Sequence, residues 1–327
     1  MDSILGIDVS KATIDVHLLK GKGKHKKFSN TADGFERLSA WLLSNEVETV
    51  HACLEATGRY GRRLAKFLHQ AGHQVSVVNP GRIWGFRKSE TLGRNKTDKI
   101  DAALIARYCA AMKPDPWHPT SEEIEQLQDL VRYGARIQEM VVAEKNRLQS
   151  DDLSAQAEAA IERHLQFLEA NAQQVRSDIK ALISSHAVLK EKAELLLSIP
   201  GIGKDTAAII LAEVLGAGEF KNQRSVACYA GLSPKHHTSG SSVHGRSTMS
   251  KVGNSNLRKA LYFPALCIWR DRSLFADFIS NLEKKGKHRM AILGALMRKL
   301  LGLAFVILKS GQSFDPNYKR LPDFEPA

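Results

Sequence analysis

Cysteine is scarce in this 327-residue chain: Cys53, Cys109, Cys228 and Cys267 lie far apart, without C-x-x-C spacing or a neighbouring pair of histidines. That pattern argues against a zinc site or a disulfide framework and suits a reducing compartment. The chain opens directly into a strand-like run, so no secretory leader is expected. A long uninterrupted apolar run is also missing. The nearest approach, Met290 to Leu308, is broken by Arg298 and Lys299 and reads as a buried helix, not a membrane span.

Acidic residues are short in one region only. Positions 221–300 carry 15 Lys and Arg against Asp271, Asp277 and Glu283, a net +12 that equals the net charge of the whole chain. The remainder balances 32 basic against 32 acidic residues. A basic excess confined to one stretch points to a nucleic-acid surface more than a uniformly high pI would. Hydrophobic residues at 43% and charged residues at 25% leave enough apolar material for two or three ordinary cores.

Three parts follow one another. Residues 1–118 alternate strand and helix patterns, with strand-like runs at 3–9, 13–19, 25–29, 49–54 and 74–78 and helical ones at 35–43, 62–71 and 97–112. Three strands followed by alternating helices and strands predict a mixed α/β sheet whose order matches a ribonuclease H-like fold. Residues 119–193 place Leu127, Leu130, Gly134, Ile137, Val141, Glu144 and Leu148 at steps of three and four. The pattern resumes at Ile161, Leu165, Leu168, Ala172, Val175, Ile179 and Leu182, which predicts an antiparallel helical hairpin or coiled coil. Residues 194–327 read as mainly helical. They open on a Pro-Gly-Ile-Gly turn resembling a helix-hairpin-helix, where Gly201 and Gly203 let backbone amides approach a phosphate beside Lys204.

Four acids stand out: Asp8 in LGIDVSK, Glu55 in CLEATGRY, and Asp98 and Asp101 in NKTDKIDA. Asp8 and Glu55 end apolar strand runs, while Asp98 and Asp101 share one face of a helix at i and i+3. Each has an ordinary reading alone: Asp98 as a helix cap, Asp8 as a turn residue, Glu55 as a surface acid. Together they form an all-oxygen set of the kind that holds Mg²⁺ for phosphoryl transfer. Arg82, Arg87, Lys88, Arg94 and Lys96 follow as a nucleic-acid-binding rim beside these acids, the alternative being a solvated basic loop. LGIDVSK also resembles the first hairpin of actin-like ATPases, but no glycine follows Asp8 where those proteins embrace phosphate.

Along nearly its whole length the chain resembles DEDD-type transposases of bacterial insertion sequences, the relatives of the pilin-gene invertase. GIDVSK, CLEATGRYG, VVNP, RNKTDKIDA, LLSIPGIG, YAGLSP, SGSSVHGRSTMSKVGN, LRKALY and AILGALMRKL stand in the family's order. The resemblance implies a RuvC-like domain in which Asp8, Glu55, Asp98 and Asp101 hold Mg²⁺, with Mn²⁺ able to substitute. It implies a nucleophile at Ser239, a covalent 5′-phosphoserine intermediate, and a structured bridge RNA pairing with target and donor double-stranded DNA. It also implies a homo-oligomer, dimer or tetramer, working in the bacterial cytoplasm at the nucleoid and not in a membrane. Arg246 and Lys251 would neutralise the attacked phosphate, and Arg258 and Lys259 extend the basic surface. Two other readings remain open: a Holliday-junction-resolvase-like nuclease using activated water, and a non-catalytic nucleic-acid-binding protein.

Overall fold

The computed structural model describes residues 3–56, 58–90, 97–150, 152–235, 238–239, 243–244, 248–272 and 274–316. Contacts divide the chain into two compact units, Met1–Pro119 and Thr120–Ala327.

In the first unit β1 (Ile4–Val9), β2 (Thr13–Leu19) and β3 (Lys24–Ser29) form an antiparallel meander. Then come α1 (Ala32–Leu43), β4 (His51–Glu55), α2 (Arg59–Gln70), β5 (Gln74–Val78), α3 (Pro80–Glu90) and α4 (Asp98–Met112). β4 runs parallel to β1 and β5 parallel to β4, giving one mixed sheet of order β3-β2-β1-β4-β5. Strand alternation assigns the faces. Leu5, Ile7, Ile14, Val16, Leu18, Ala52 and Leu54 turn one way, onto Phe35, Leu38, Leu42, Leu64 and Leu68 of α1 and α2. Ile4, Cys53 and Val78 turn the other way, onto Leu104, Ile105, Tyr108 and Cys109 of α4. Gly6 shares that second face, and a Cβ there would overlap the Ala102 carbonyl and the Ala106 backbone. The backbone of α4 therefore rests directly on β1.

Positions 80–90, which show no helical pattern in the sequence, form the helix α3. Pro80 suits a helix start, where its missing N–H is no loss, and Ile83 is buried. Gly81 and Gly85 weaken the helical pattern and hid it.

The second unit is mainly helical. α5 (Glu122–Leu148) and α6 (Ala155–Ser185) lie antiparallel, with Ile137 and Val141 packed on Leu168, Ala172 and Val175. Lys145 pairs with Glu169 at 2.8 Å, and Asn171 donates to the Tyr133 hydroxyl at 3.2 Å. α7 (Ala187–Leu197) and α8 (Lys204–Ile210) flank the Pro-Gly-Ile-Gly turn, and α8 runs into a π-helical turn, Leu211–Leu215. After α9 (Gln223–Tyr229) come four two-residue strands: β6 (Pro234–Lys235), β7 (Thr238–Ser239), β8 (Val243–His244) and β9 (Thr248–Met249). α10 (Ser255–Ala260), α11 (Tyr262–Asp271), α12 (Ala276–Lys284) and α13 (Arg289–Ser310) complete it. α13 is the apolar run noted above, and Leu293, Leu296, Leu300, Leu301 and Ala304 within it are fully buried. Leu127 and Val131 of α5 share one core with α7, α8, α9, α11 and α13, so position 193, expected as a domain boundary, falls inside this unit.

Gly6→Ala should force α4 off β1 and destabilise the protein by about 1–3 kcal/mol, the usual cost of overpacking. Chemical unfolding monitored by circular dichroism measures it, with Gly72→Ala, where φ is +83, as a control for strain without overlap.

Candidate active site

Asp8 lies on the α4-facing side of β1, two residues beyond Gly6. Ile7 pairs with Leu54 in the parallel ladder, so the next step sets Asp8 beside Glu55. Directly opposite Asp8 on the antiparallel side is Asp15 of β2. α4 brings Asp98 and Asp101 in its first turn. Thr97, not Asp98, caps this helix, accepting from the Ile100 amide at 3.3 Å, so the capping reading of Asp98 is set aside. The four expected acids are thus near enough to act on one another. Burial, then repulsion from Asp101, Asp98, Glu55 and Asp15, raises the Asp8 pKa from 3.8 to about 6.

Cationic side chains counter part of this charge. Arg87 of α3 donates to the half-enclosed carboxylate of Asp101. Lys27 of β3 stands 3.1 Å from Asp15 and 3.5 Å from Asp98, and His25 is 2.9 Å from Asp15. Asp15, only 5% exposed, is the acid that sequence reasoning passed over. Its signal was available: at i+7 from Asp8 across a tight turn, it had to land opposite it. As the side chains stand, no three acidic, His or Cys groups among the described residues are close enough to hold a metal ion together.

The second expected site belongs to the second unit. The Gly-Ser stretch is not a plain loop: β6 pairs with β9 in a short antiparallel ribbon, and Ser239 of β7 sits opposite Val243 of β8 in a separate two-stranded sheet. Ser241, Ser242, His236, His237 and Arg246 lie outside the described residues. The base of this ribbon is firmly tied. Ser250 donates to the Ser233 carbonyl at 2.9 Å, Lys251 to Gly231 at 3.0 Å and Asn254 to Tyr229 at 2.7 Å. Gly231 and Gly253 both have positive φ, and a side chain on either would strike the facing strand. Beneath them lies Glu213, in the π-helical turn and 0% exposed. It accepts two hydrogen bonds from Arg132, at 3.1 and 2.8 Å, and one from Asn254 at 2.7 Å. Asn254 also caps α10 through the Leu257 amide at 2.9 Å. Sequence reasoning missed this network, since a lone Glu in an apolar helix and an Arg eighty residues earlier give no joint signal.

The expected nucleic-acid residues fare differently. Arg82 and Lys88 are exposed on α3, while Arg94 and Lys96 lie outside the described residues. Lys204 and Gly203 are exposed at the start of α8. Gly201, at φ +86, faces Ile268 and the Pro264 carbonyl of α11, so packing within the fold accounts for that glycine. Arg258 donates to the Ala230 carbonyl at 2.8 Å, and Lys259 pairs with Glu139 at 2.9 Å, so both have partners within the unit. Lys251 is exposed at φ 56.

Comparison with known proteins defines the class. A DEDD-type transposase profile matches residues 5–151, and a profile described as transposase IS116/IS110/IS902 family matches residues 193–280. The chain is 33% identical over 315 residues to the pilin gene-inverting protein of Moraxella bovis, covering 95% of this chain and 97% of that one. It is 27% identical over 355 residues to the transposase for insertion sequence element IS1328 of Yersinia enterocolitica, covering 95% and 98%. The protein is a DNA transposase or recombinase of an insertion sequence. It belongs to the IS110 family.

Two measurements follow from this geometry. The folded protein holds the Asp8 proton more tightly than the unfolded chain, so Asp8 makes stability fall as pH rises from the unfolded value of 3.8 to about 6. Asp8→Asn should therefore raise the melting temperature of metal-free protein at about pH 8 and change it much less at about pH 4, where the carboxyl is neutral in the folded protein and only about half ionised in the unfolded chain. Glu213→Ala leaves a partly buried guanidinium and Asn254 without their acceptor and should cost about 3–5 kcal/mol. The apolar pair Arg132→Met with Glu213→Leu should recover most of that loss in a denaturant titration.

Proposed function

We propose that this transposase cuts and rejoins DNA through a covalent serine link, with the carboxylate corner as a Mg²⁺ site. The observation that carries the reading is the convergence of Asp8, Glu55, Asp98 and Asp101, whose repulsion adds to burial in raising the Asp8 pKa to about 6. Carboxylates brought together at such a cost are characteristic of a site completed by a cation. The strand order β3-β2-β1-β4-β5, with three antiparallel strands and then two parallel, supports a ribonuclease H-like, RuvC-like domain. An all-oxygen donor set suits a hard cation such as Mg²⁺ or Mn²⁺. Asp8, Glu55, Asp98 and Asp101 would hold it, while Asp15 stays committed to His25 and Lys27. The bound cation supplies neutralisation of the charge that builds on the phosphate.

Ser239 is the nucleophile in this reading. Its hydroxyl oxygen bonds to phosphorus, the bond to the 3′ oxygen breaks, and the proton lost by serine is balanced by the one gained at the 3′-hydroxyl. A 5′-phosphoserine and a free 3′ end result, and attack by an exchanged 3′-hydroxyl reverses the step and restores the serine. No external energy source is needed, because the phosphodiester bond is conserved in the phosphoserine. Serine and carboxylates belong to different units, so the chemistry requires them to act on one phosphate within a homo-oligomer or a single chain. The local +12 charge of residues 221–300 supports backbone binding of double-stranded DNA and of a structured guide RNA, with base pairing supplying target choice. Such an enzyme works in the bacterial cytoplasm, at the nucleoid.

The test is to incubate purified protein with Mg²⁺, DNA of the element's ends and RNA transcribed from its flanks, trap the covalent adduct and map the modified peptide. The adduct is expected on Ser239. Ser239→Ala should abolish it while nucleic-acid affinity stays within about twofold. Cleaved ends bearing no protein would defeat the serine mechanism and favour activated water.

A further inference from the structure

Trp84 has no place in the chemistry above. It is 59% exposed, the one tryptophan among the large side chains left open to solvent on the described surface. Its helix explains how it is displayed. Ile83, Phe86 and Arg87 clamp α3 onto the rest of the first unit: Ile83 is buried, Phe86 meets Tyr108 edge-on at 5.5 Å, and Arg87 holds Asp101. Trp84 and Lys88, one turn apart, stand on the outward stripe, and the Lys88 ammonium lies 3.6 Å from the centre of the indole ring. Arg82 is exposed on the same short helix. An indole in water with a cation against its ring, on a helix whose inner side grips an acid of the carboxylate corner, has a restricted set of suitable ligands. They must be flat, apolar on their faces, and attached to negative charge.

The helix carries a second oddity on that side. Gly85 has ordinary helical φ, and no atom of the described residues lies within 4 Å of where its Cβ would stand. An exposed helical glycine lowers stability relative to alanine, by roughly 0.5–1 kcal/mol, and nothing among the described residues requires this one. It leaves bare backbone beside the indole, where a flat ligand can lie close.

We infer that Trp84 is a stacking platform for an unpaired DNA base, with Lys88 and Arg82 taking the flanking phosphates. Base-on-aromatic stacking tolerates any sequence, because every base offers a π face, and it needs the base to be out of its duplex. A strand opened for exchange next to the carboxylate corner supplies such a base. The inference rests on the transposase reading of that corner, but not on the serine step.

Intrinsic fluorescence tests it in the full-length protein. Oligothymidylate should quench the indole emission of the wild type, and Trp84→Phe should abolish the quench although Trp41, Trp117 and Trp269 remain. Trp84→Ala should weaken oligothymidylate binding about tenfold or more, within the range for one lost stack, and leave the affinity for a fully paired duplex within about twofold. Gly85→Ala should raise the melting temperature yet weaken oligothymidylate binding, a pairing that a passive surface would not produce. Equal oligothymidylate affinity in wild type and Trp84→Ala would overturn the inference, as would Trp84-dependent quenching by oligouridylate alone, which would assign the platform to RNA. Wild-type protein that binds neither duplex nor single strand would instead count against the transposase reading beneath it.

Discussion

The backbone of α4 lies so close to β1 that only a hydrogen fits between them at Gly6. Everything in the acidic corner depends on that approach. Ala102 and Ala106 are the helix residues in contact, so Asp101 and Asp98 sit just beyond the contact, toward the end of β1 where Asp8 lies. Thr97 caps the helix at its first turn, which sets where α4 begins and therefore which residues reach the corner. A methyl group at position 6 would lift the helix and separate the two halves of the site together. The glycine of GIDVSK is thus explained by packing, while the aspartate two residues later is explained by charge.

Holding that much charge in one corner is unfavourable, and the first unit answers with cations from elements on either side. Lys27 comes from the strand at the sheet's β3 edge and reaches two acids; Arg87 comes from α3 and reaches a third. Lys27 is exposed, so its pairs are weak contributors to stability. Their effect is better seen in what they leave over. Asp15 is covered on two sides by His25 and Lys27, whereas Asp8, at the centre, is still raised to about 6. The residual strain falls on the residue through which an added cation would relieve the most repulsion.

Much of this could be read from the sequence, because it follows from periodicity. A strand alternates, so Gly6 and Asp8 must share a face; a helix repeats near every third or fourth residue, so Asp98 and Asp101 must share a side. The stripe through Ile137 and Val141 and its partner through Leu168, Ala172 and Val175 were legible for the same reason and pack together, whereas Leu127 of the same stripe joins the core of the other helices. What escaped has no period. α3 was hidden because a helix with two glycines, a proline and one buried aliphatic residue has no apolar stripe to see. The strand pair bearing Ser239 was hidden because its strands are two residues long and show no alternation to read. Two side-chain contacts without a period are those of Arg258, which donates to the Ala230 carbonyl, and of Lys259, which stays exposed while pairing with Glu139.

The Glu213 network shows why the second unit keeps a charge where an apolar core would be at least as stable. A buried ion pair gains little over well-packed hydrocarbon once both groups are stripped of water. It differs from hydrocarbon in being directional. Leucine in place of Glu213 would fill the same space whatever the neighbouring strand did, while the carboxylate is satisfied only when Arg132 and Asn254 both reach it. Asn254 can reach it only while capping α10 and donating its own amide to Tyr229, so the register of the two segments at the ribbon's base is fixed from below. Gly231 and Gly253 allow those segments to touch, and the carboxylate decides how they align. Those segments lead into β6 and out of β9, so the register there matters more than the modest energy of the pair that sets it.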